Sequence, residues 1–248
     1  MQLNKRIHFV LFCIGMLLCN YARAQFNDTV NYHIGLVPSG SINRTNDGTT
    51  YLLNNLLKFN IKKKDVSLNF TNNWIYGKQN TTLTNNDFSS LLDFNLFKTF
   101  PHFFYWGLMN YNTSYSLKIN NELLAGAGIA YSFVDTKTSW FNISDGLLYD
   151  QSDLILPSNL RDVYHTYRNS LRVSYRFNFK DIFILDGSNF LQSSLDRRTD
   201  YIIRSTTNLN LKLKKWLSLT TSLNYARQNR TQSDNLLFTY GLTIEKYF

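Results

Sequence analysis

The chain has few cysteines and prolines and only one long apolar run. Its two cysteines, Cys13 and Cys19, both lie within the first 24 residues. This position excludes disulfides, thiolate metal sites and cysteine nucleophiles from the rest of the chain. Beyond that segment no apolar run reaches the ~20 residues that a membrane-spanning helix needs, which excludes a helical membrane protein. The three prolines can lie at strand ends or in loops, where a missing backbone donor is tolerated.

The first 24 residues have the three parts of a secretory signal peptide. Basic residues at positions 5 and 6 precede an apolar stretch at residues 8–19, and alanines follow at positions 22 and 24, where signal peptidase requires small side chains. The apolar stretch is too short to span a bilayer as a helix. We therefore predict a cleaved signal peptide at residues 1–24, Sec-dependent export, and one mature domain at residues 25–248.

What the sequence does contain is a two-residue alternation of apolar and polar side chains. The segments at 200–213 and 217–228 alternate in this way, and so does the last segment of the chain. Alternation over about ten residues, with one apolar face, is typical of strands in a transmembrane β-barrel. In the last segment the apolar face would carry Leu236, Phe238, Tyr240, Leu242, Ile244 and Phe248.

The alternating segments predict an all-β fold, an antiparallel transmembrane β-barrel of about twelve strands. Aromatic residues make up 16% of the chain and charged residues 17%, which fits an apolar outer band with aromatic rims. Short connections alternate with longer polar ones, such as residues 39–49, 78–85 and 150–161. Since periplasmic turns are short in such barrels, we expect both chain ends on the periplasmic side. The segments lie at about 31–38, 50–62, 65–77, 86–98, 102–115, 122–134, 138–149, 162–179, 182–195, 200–213, 217–228 and 235–248.

Three segments resemble a family of Gram-negative outer-membrane proteins that is described as salt-stress-induced and otherwise as a domain of unknown function. They are a glycine-containing stretch at 123–131, a stretch at 200–207 and the final hairpin at 216–248. The resemblance implies a barrel in the cell outer membrane, no agreed enzymatic activity, and a role under salt or osmotic stress. It also implies that Phe248 is an assembly signal, although Lys246 stands where that signal usually has an apolar residue.

The charge of the chain bears on its partners. The formal net charge is +9, but the basic residues are spread along the chain rather than clustered. We therefore expect outer-membrane lipid, lipopolysaccharide and the barrel-assembly machinery as partners, and no nucleic acid. The sequence leaves the oligomeric state open.

The most distinctive constellation is a row of arginines on the eighth predicted strand. Arg168, Arg172 and Arg176 share one face and would lie about 13 Å apart along the strand. Because charge on the lipid side is costly, we expect all three to face the lumen. The row is either the basic wall of an anion-preferring pore or part of a charge network that braces the interior, and we favour the brace. Further inward candidates are Arg204, Lys212, Asp93, Asp186 and Glu245.

The remaining polar residues favour neither an enzyme nor a metal centre. His165 lies near the outer end of the eighth strand and has no serine at a suitable spacing for a hydrolase. Four aspartates surround one predicted outer loop, but their spacing matches no cation-binding motif. We expect no enzymatic activity, no cofactor and no metal site. The aspartates are Asp145, Asp150, Asp153 and Asp162.

These observations predict an outer-membrane barrel with a structural or narrow pore-like role. A twelve-strand barrel is narrower than a sixteen-strand porin, so any channel would be small. Two alternatives stay open. One is an outer-leaflet lipid hydrolase that uses His165, and the other is an adhesin or receptor that acts through its outer loops.

Overall fold

Neighbouring segments of the chain pair in the antiparallel sense, and the last segment pairs with the first, so that the sheet closes into a barrel. The computed structural model describes residues 31–45, 48–136 and 138–247. Within these ranges no helix is long and apolar enough to cross a membrane. The predicted signal peptide and Phe248 lie outside the described residues. The strands are β1 (Tyr32–Thr45), β2 (Gly48–Lys63), β3 (Val66–Gln79), β4 (Thr82–Phe100), β5 (Phe103–Ser114), β6 (Ile119–Asp135), β7 (Trp140–Ile155), β8 (Arg161–Phe179), β9 (Phe183–Ser194), β10 (Tyr201–Lys214), β11 (Leu217–Gln228) and β12 (Ser233–Tyr247).

Side chains alternate between the lumen and the outer surface along each strand. On β5, Phe104, Trp106 and Leu108 are buried inside the barrel, whereas Tyr105 and Met109 are exposed on the outer face. This follows from strand geometry, in which successive side chains point to opposite faces of the sheet. The predicted twelve-strand antiparallel barrel is confirmed.

The connections at the two ends of the barrel differ in length. At one end, here called the turn end, the described chain also begins and stops. At the other end, here called the loop end, the longest connections are residues 156–160 and 195–200. The turn end is formed by residues 64–65, 101–102, 136–139, 180–182 and 215–216.

Two of the long loops expected from the sequence are strands instead. Most of residues 39–49 belong to β1 and β2, and most of residues 78–85 belong to β3 and β4. In the turn between β3 and β4, Asn80 has a φ of 54°, and its side-chain oxygen accepts a hydrogen bond of 2.8 Å from the Thr49 N–H. Polar composition suggested loops here, but polar side chains do not prevent backbone pairing, and asparagine tolerates the left-handed conformation.

The lumen wall is flattened by glycines on β6 and β7. Gly128 and Gly146 are paired across these two strands. A Cβ atom at Gly146 would lie 2.5 Å from Cζ2 of Trp106, and one at Gly128 would lie 2.7 Å from it. The indole therefore lies directly against the backbone, and its Nε1–H donates to the Ile129 carbonyl oxygen at 3.2 Å. Trp106 belongs to a buried apolar cluster with Phe104, Leu108, Leu124, Ala130 and Leu148.

The ladder that closes the barrel is shorter than its neighbours. Strand β1 pairs with β12 through residues 33–36 and 244–247, and again at Ser39 with Gly241. By contrast, β1 pairs with β2 along its whole length. Pro38 lies in the interruption and has no N–H to donate. Beyond Ser39 both strands continue towards the loop end without further pairs between them.

Candidate functional site

The arginines of β8 face the lumen, as their shared parity predicts. Arg168 is fully buried, Arg172 is largely buried, and Arg176, nearer the turn end, is half-buried. Arg204 and Lys212 of β10 are also half-buried and have lumen-facing parity. Arg168, Arg172 and Arg204 are each paired with carboxylates. The basic residues therefore do not form one continuous wall.

The Arg168 guanidinium lies between two carboxylates near the loop end. Its Nε donates to Asp150 at 2.7 Å, and a terminal nitrogen donates to Asp200 at 2.8 Å. The Tyr164 hydroxyl accepts a hydrogen bond from Arg168 at 2.9 Å and donates to Asp150 at 3.2 Å. Both carboxylates are as deeply buried as the arginine. Because a buried charge without a partner is strongly destabilising, these contacts fix the group in position.

A second group, centred on Glu122 of β6, joins opposite walls of the barrel. Glu122 is fully buried and accepts hydrogen bonds from Asn112 of β5 at 2.8 Å and from Gln228 of β11 at 3.1 Å. It also accepts a hydrogen bond from the Arg204 guanidinium of β10. Since β6 and β10 are four strands apart in the barrel order, the Arg204–Glu122 pair crosses the lumen.

A third group crosses the lumen one level closer to the turn end. Arg172 of β8 donates to Asp93 of β4 at 2.6 Å, and these strands are also four apart. The guanidinium carbon lies 5.6 Å from the ring centre of Trp106 and 5.5 Å from that of Phe190. At these distances the aromatic rings attract the cation. Trp106, resting on the glycines, thus supports the arginine on its way across the lumen.

Connections at the loop end fold over the lumen. The Thr231 hydroxyl, between β11 and β12, donates to the Leu117 carbonyl oxygen at 2.9 Å. The Asn235 amide donates to the Ser116 hydroxyl at 3.2 Å. These bonds hold the connection between β5 and β6 inside the mouth of the barrel. There an apolar group forms, here called the mouth cap, consisting of Leu117, Ile119, Leu154, Tyr164 and Ala226.

Arg230 joins the mouth cap to the buried charges below it. Its guanidinium donates to Asp162 at 2.6 Å and to Asp200 at 2.9 Å, and its carbon lies 3.6 Å from the Tyr164 ring centre. Burial acts to lower the pKa of Arg230, but the hydrogen bonds to the two aspartates outweigh it, and the pKa is raised. Arg230 therefore stays charged and shares Asp200 with Arg168.

The lumen charges nearer the turn end are arranged differently. Over the described ranges, Arg176 and Lys212 form no ion pair. Asp186 accepts hydrogen bonds of 2.9 and 3.0 Å from two asparagines of β10. Glu245 lies 3.3 Å from the imidazole of His33. The carboxylates here accept hydrogen bonds from amides and a histidine, while Arg176 and Lys212 interact with Glu245 over a longer distance and Arg176 is the cross-strand neighbour of Asp186.

The barrel sequence matches a known protein family over most of its length. Residues 39–244 match the family described as "Protein of unknown function, DUF481". The chain belongs to this family. No curated protein matches the sequence.

Comparison with solved structures finds barrels similar to this DUF481 protein. The NanC porin superposes with a TM-score of 0.52 at 12% identity, covering 87% of this chain and 99% of NanC. The translocator domain of the autotransporter NalP from Neisseria meningitidis gives a TM-score of 0.49 at 11% identity, covering 97% of this chain and 95% of that domain. The likeness to NanC shows a common barrel fold.

The residues considered for hydrolysis do not form a catalytic group. His165 lies on the exposed outer face of β8, where its ring centre is 6.4 Å from that of Tyr149. Thr166, its neighbour in sequence, points into the barrel and interacts with Ser194 at 2.9 Å. The imidazole and the hydroxyls are thus on opposite sides of the sheet.

The four aspartates expected around one outer loop are separated from one another. Strand β7 continues to Ile155, so Asp150 lies within the strand and faces Arg168. Asp153 pairs with Arg161 at 2.7 Å, Asp162 contacts Arg230, and Asp145 lies on the outer face. Over the described ranges no group of three acidic or histidine residues could hold a metal ion.

Three carboxylates and one tryptophan that organise the lumen were not predicted from the sequence. Asp150 shares its parity with Leu148 and Ser152, so extending β7 past residue 149 would have turned it inward. Trp106 alternates with Tyr105 and other apolar outward residues, so parity alone could not assign its face. The residues that were missed are Glu122, Asp150, Asp200 and Trp106.

Proposed function

We propose that the protein is a narrow outer-membrane pore that side chains from its own walls close near the loop end. The observation that supports this proposal is the pair of ion contacts across the lumen, Arg172 with Asp93 and Arg204 with Glu122. Each contact joins strands four apart, so both run through the space that a solute would have to cross. The mouth cap lies above them and adds an apolar barrier.

The same contacts brace the barrel while it is closed. Removing one partner of a buried ion pair leaves an uncompensated charge, so each bridge resists opening. Salt screens buried pairs much less than exposed ones, so raised ionic strength alone does not open the lumen. Opening therefore requires a movement of the mouth cap and of the β5–β6 connection that carries Leu117.

At the turn end the pore would begin in a vestibule that favours anions. Arg176 and Lys212 support this part of the proposal because they face the lumen and form no direct ion pair in the described part of the chain, whereas Asp186 and Glu245 nearby are hydrogen-bonded to other side chains. Rings of basic side chains favour anions in pores. The vestibule is thus where an anion preference would arise, and the paired arginines above it supply the gate.

Orientation, export and physiological role complete the proposal. Short turns face the periplasm in barrels of this kind, so the turn end would face the periplasm and the loop end would contact lipopolysaccharide. The chain would arrive by Sec-dependent export and be inserted by the barrel-assembly machinery.

The family resemblance supports a role under salt stress. Equal growth of a deletion strain and its parent in raised sodium chloride would contradict that role.

Single-channel conductance in a planar bilayer tests the closed pore. We expect rare, small current steps from the unmodified protein and an at least tenfold higher open probability for Asp93→Asn. A tenfold change corresponds to about 1.4 kcal/mol in the free-energy difference between the closed and open states. The matched control is Asp186→Asn, which removes a lumen carboxylate that is hydrogen-bonded to asparagines rather than to Arg172. It should behave like the unmodified protein.

Two results would overturn the proposal. A large, steady conductance of the unmodified protein would contradict the closed state. Silence of a correctly folded Asp93→Asn, Glu122→Gln double variant would contradict the pore and leave a purely structural barrel.

A further inference from the structure

The seam between β1 and β12 is paired only in the half nearer the turn end. The pairs stop at Ser39 with Gly241, although β1 runs on to Thr45 and β12 begins at Ser233. If the same register continued, Ser41 would pair with Thr239. Residues 40–44 therefore pair with β2 alone, and residues 233–240 pair with β11 alone.

Side-chain exposure changes where the pairing stops. On β12, Leu236 and Phe238 are 66% and 65% exposed, whereas Ile244 in the paired part is 42% exposed. On β1, Ile42 is 76% exposed and Leu36 in the paired part is 45% exposed. All five side chains are on the outer face, and the more exposed ones lie in the unpaired stretch. Exposure alone does not mark the gap, because Val163 on β8, which is paired with β7, is 62% exposed. The opening is therefore defined by the missing backbone pairs.

The outward residues beside the lower part of this opening, Ile42 on β1 and Phe238 and Tyr240 on β12, are apolar or aromatic. Arg44 and Asp234 follow on the same face nearer the loop end, so only the lower part of the opening suits contact with lipid. Unpaired backbone groups in the hydrocarbon region cost several kcal/mol each, so an open edge there is found only where it lines a cavity or a partner. A cavity on the lumen side reaches this edge through two residues of β12.

That cavity has a volume of about 170 Å³ and lies inside the lumen beneath the mouth cap. Its wall includes Asn235 and Leu237, which belong to the unpaired part of β12. An apolar cavity of about 150 Å³ holds one benzene molecule, so this space is large enough for a short acyl segment. The lining combines apolar side chains such as Ile75 and Leu117 with amides, hydroxyls and two charged groups, Asp87 and Arg204.

We propose that the gap between β1 and β12 is a lateral doorway through which this cavity exchanges a single-chain amphiphile with the bilayer. The apolar edges of the gap suit an acyl chain, and the amides and hydroxyls inside suit its polar head. The mouth cap narrows the axial route at the loop end, and the gap would offer the cavity a second route through the side of the barrel. The doorway does not require ion conduction along the axis.

The chain has no cysteine after the predicted signal peptide, so the doorway can be locked selectively. The locking variant is Ser41→Cys with Thr239→Cys, closed by oxidation or by a short bis-methanethiosulfonate linker. The matched control is Leu36→Cys with Ile244→Cys, which joins the same two strands where they are already paired. Heat modifiability on gels would verify that each variant is folded, and reduction of the locked protein gives a second control.

The probe is octanoic acid with a 13C label at its carboxyl carbon, added to the protein in lipid nanodiscs. We expect a saturable shift of the 13C resonance that unlabelled octanoic acid competes away and that empty nanodiscs do not produce. Locking should weaken the binding at least tenfold, reduction should restore it, and the control lock should leave it unchanged. Equal binding by the locked and unlocked protein would overturn the doorway, and so would the absence of saturable binding to the unlocked protein.

Discussion

Arginine side chains have different roles in the two halves of the lumen. Towards the loop end, Arg168 is buried between carboxylates, and Arg172 reaches across to the opposite wall. Towards the turn end, Arg176 on the same face of the same strand is half-buried and forms no ion pair over the described ranges. Position along the strand, rather than residue type or parity, decides whether an arginine braces the barrel or lines an open space.

The physical cause is the depth of burial. Transferring a charge out of water is costly unless an opposite charge and hydrogen bonds replace the solvent. Where the mouth cap and the apolar cluster exclude water, each arginine requires a carboxylate. At the turn end water reaches the side chains, and a partner is not required.

Among the substitutions that test this difference, the replacement of Arg168 should destabilise the barrel most. Arg168→Met leaves Asp150 buried without its cation and deprives Asp200 of one of its two, so we expect a loss of about 3–5 kcal/mol in the free energy of unfolding. Urea unfolding in lipid vesicles, followed by tryptophan fluorescence, measures it. Arg176→Met is the matched control and should lose less than about 1 kcal/mol. Similar losses for both variants would mean that the two halves do not differ in this way.

A methyl group at Gly146 should disturb the loop-end half next most strongly. It would lie 2.5 Å from Trp106 and 2.5 Å from the Ala127 carbonyl oxygen, so the indole that supports Arg172 must shift. We expect Gly146→Ala to lose about 1–3 kcal/mol in the same unfolding measurement. The control is Gly107→Ala, since the nearest atom to its added Cβ would be 3.8 Å away. An unchanged stability of Gly146→Ala would show that the position of Trp106 does not depend on its close contact with these glycines.

Reversing the charge of the turn-end half should change selectivity with little effect on stability. In an Asp93→Asn background, Arg176→Glu with Lys212→Glu should shift the reversal potential in a salt gradient from anion towards cation preference. Stability should stay within about 1 kcal/mol because these groups are partly hydrated. Lys214→Glu changes an exposed residue of the same strand and should leave the reversal potential unaltered. If the Arg176 and Lys212 variant also leaves it unaltered, the turn-end half is not the selectivity filter.

The fold could be predicted from the sequence because alternation records which face of a strand meets lipid. Arg168, Arg172 and Arg176 share one parity along β8 and lie on its lumen side. Strand lengths were less predictable, since residues 78–85 are polar yet pair as strands. The composition of a segment indicates how exposed its side chains are to solvent. Whether the segment forms a strand depends on a neighbouring backbone with which it can pair.

The partners of the arginines could not be predicted in the same way. Arg204 meets Glu122 and Arg172 meets Asp93 across the lumen, between strands that are not neighbours. Such contacts depend on strand tilt and on the relative shift of four successive ladders, which alternation within one strand does not contain. The predicted inward carboxylates Asp186 and Glu245 do face the lumen, but they lie at the turn end with amide and histidine neighbours.

The closing ladder also has a consequence for the order in which the barrel forms. Eleven of its twelve strand pairs join segments adjacent in sequence, whereas the twelfth brings together residues such as His33 and Glu245, which are 212 positions apart. Hairpins can form locally, but this last pairing must wait until the whole chain has been made and carries the largest loop-closure entropy. The last strand to find its partner therefore also has the fewest backbone pairs to hold it there. A strand of another protein could take the place of β1 beside β12 while the eleven hairpin ladders stay intact.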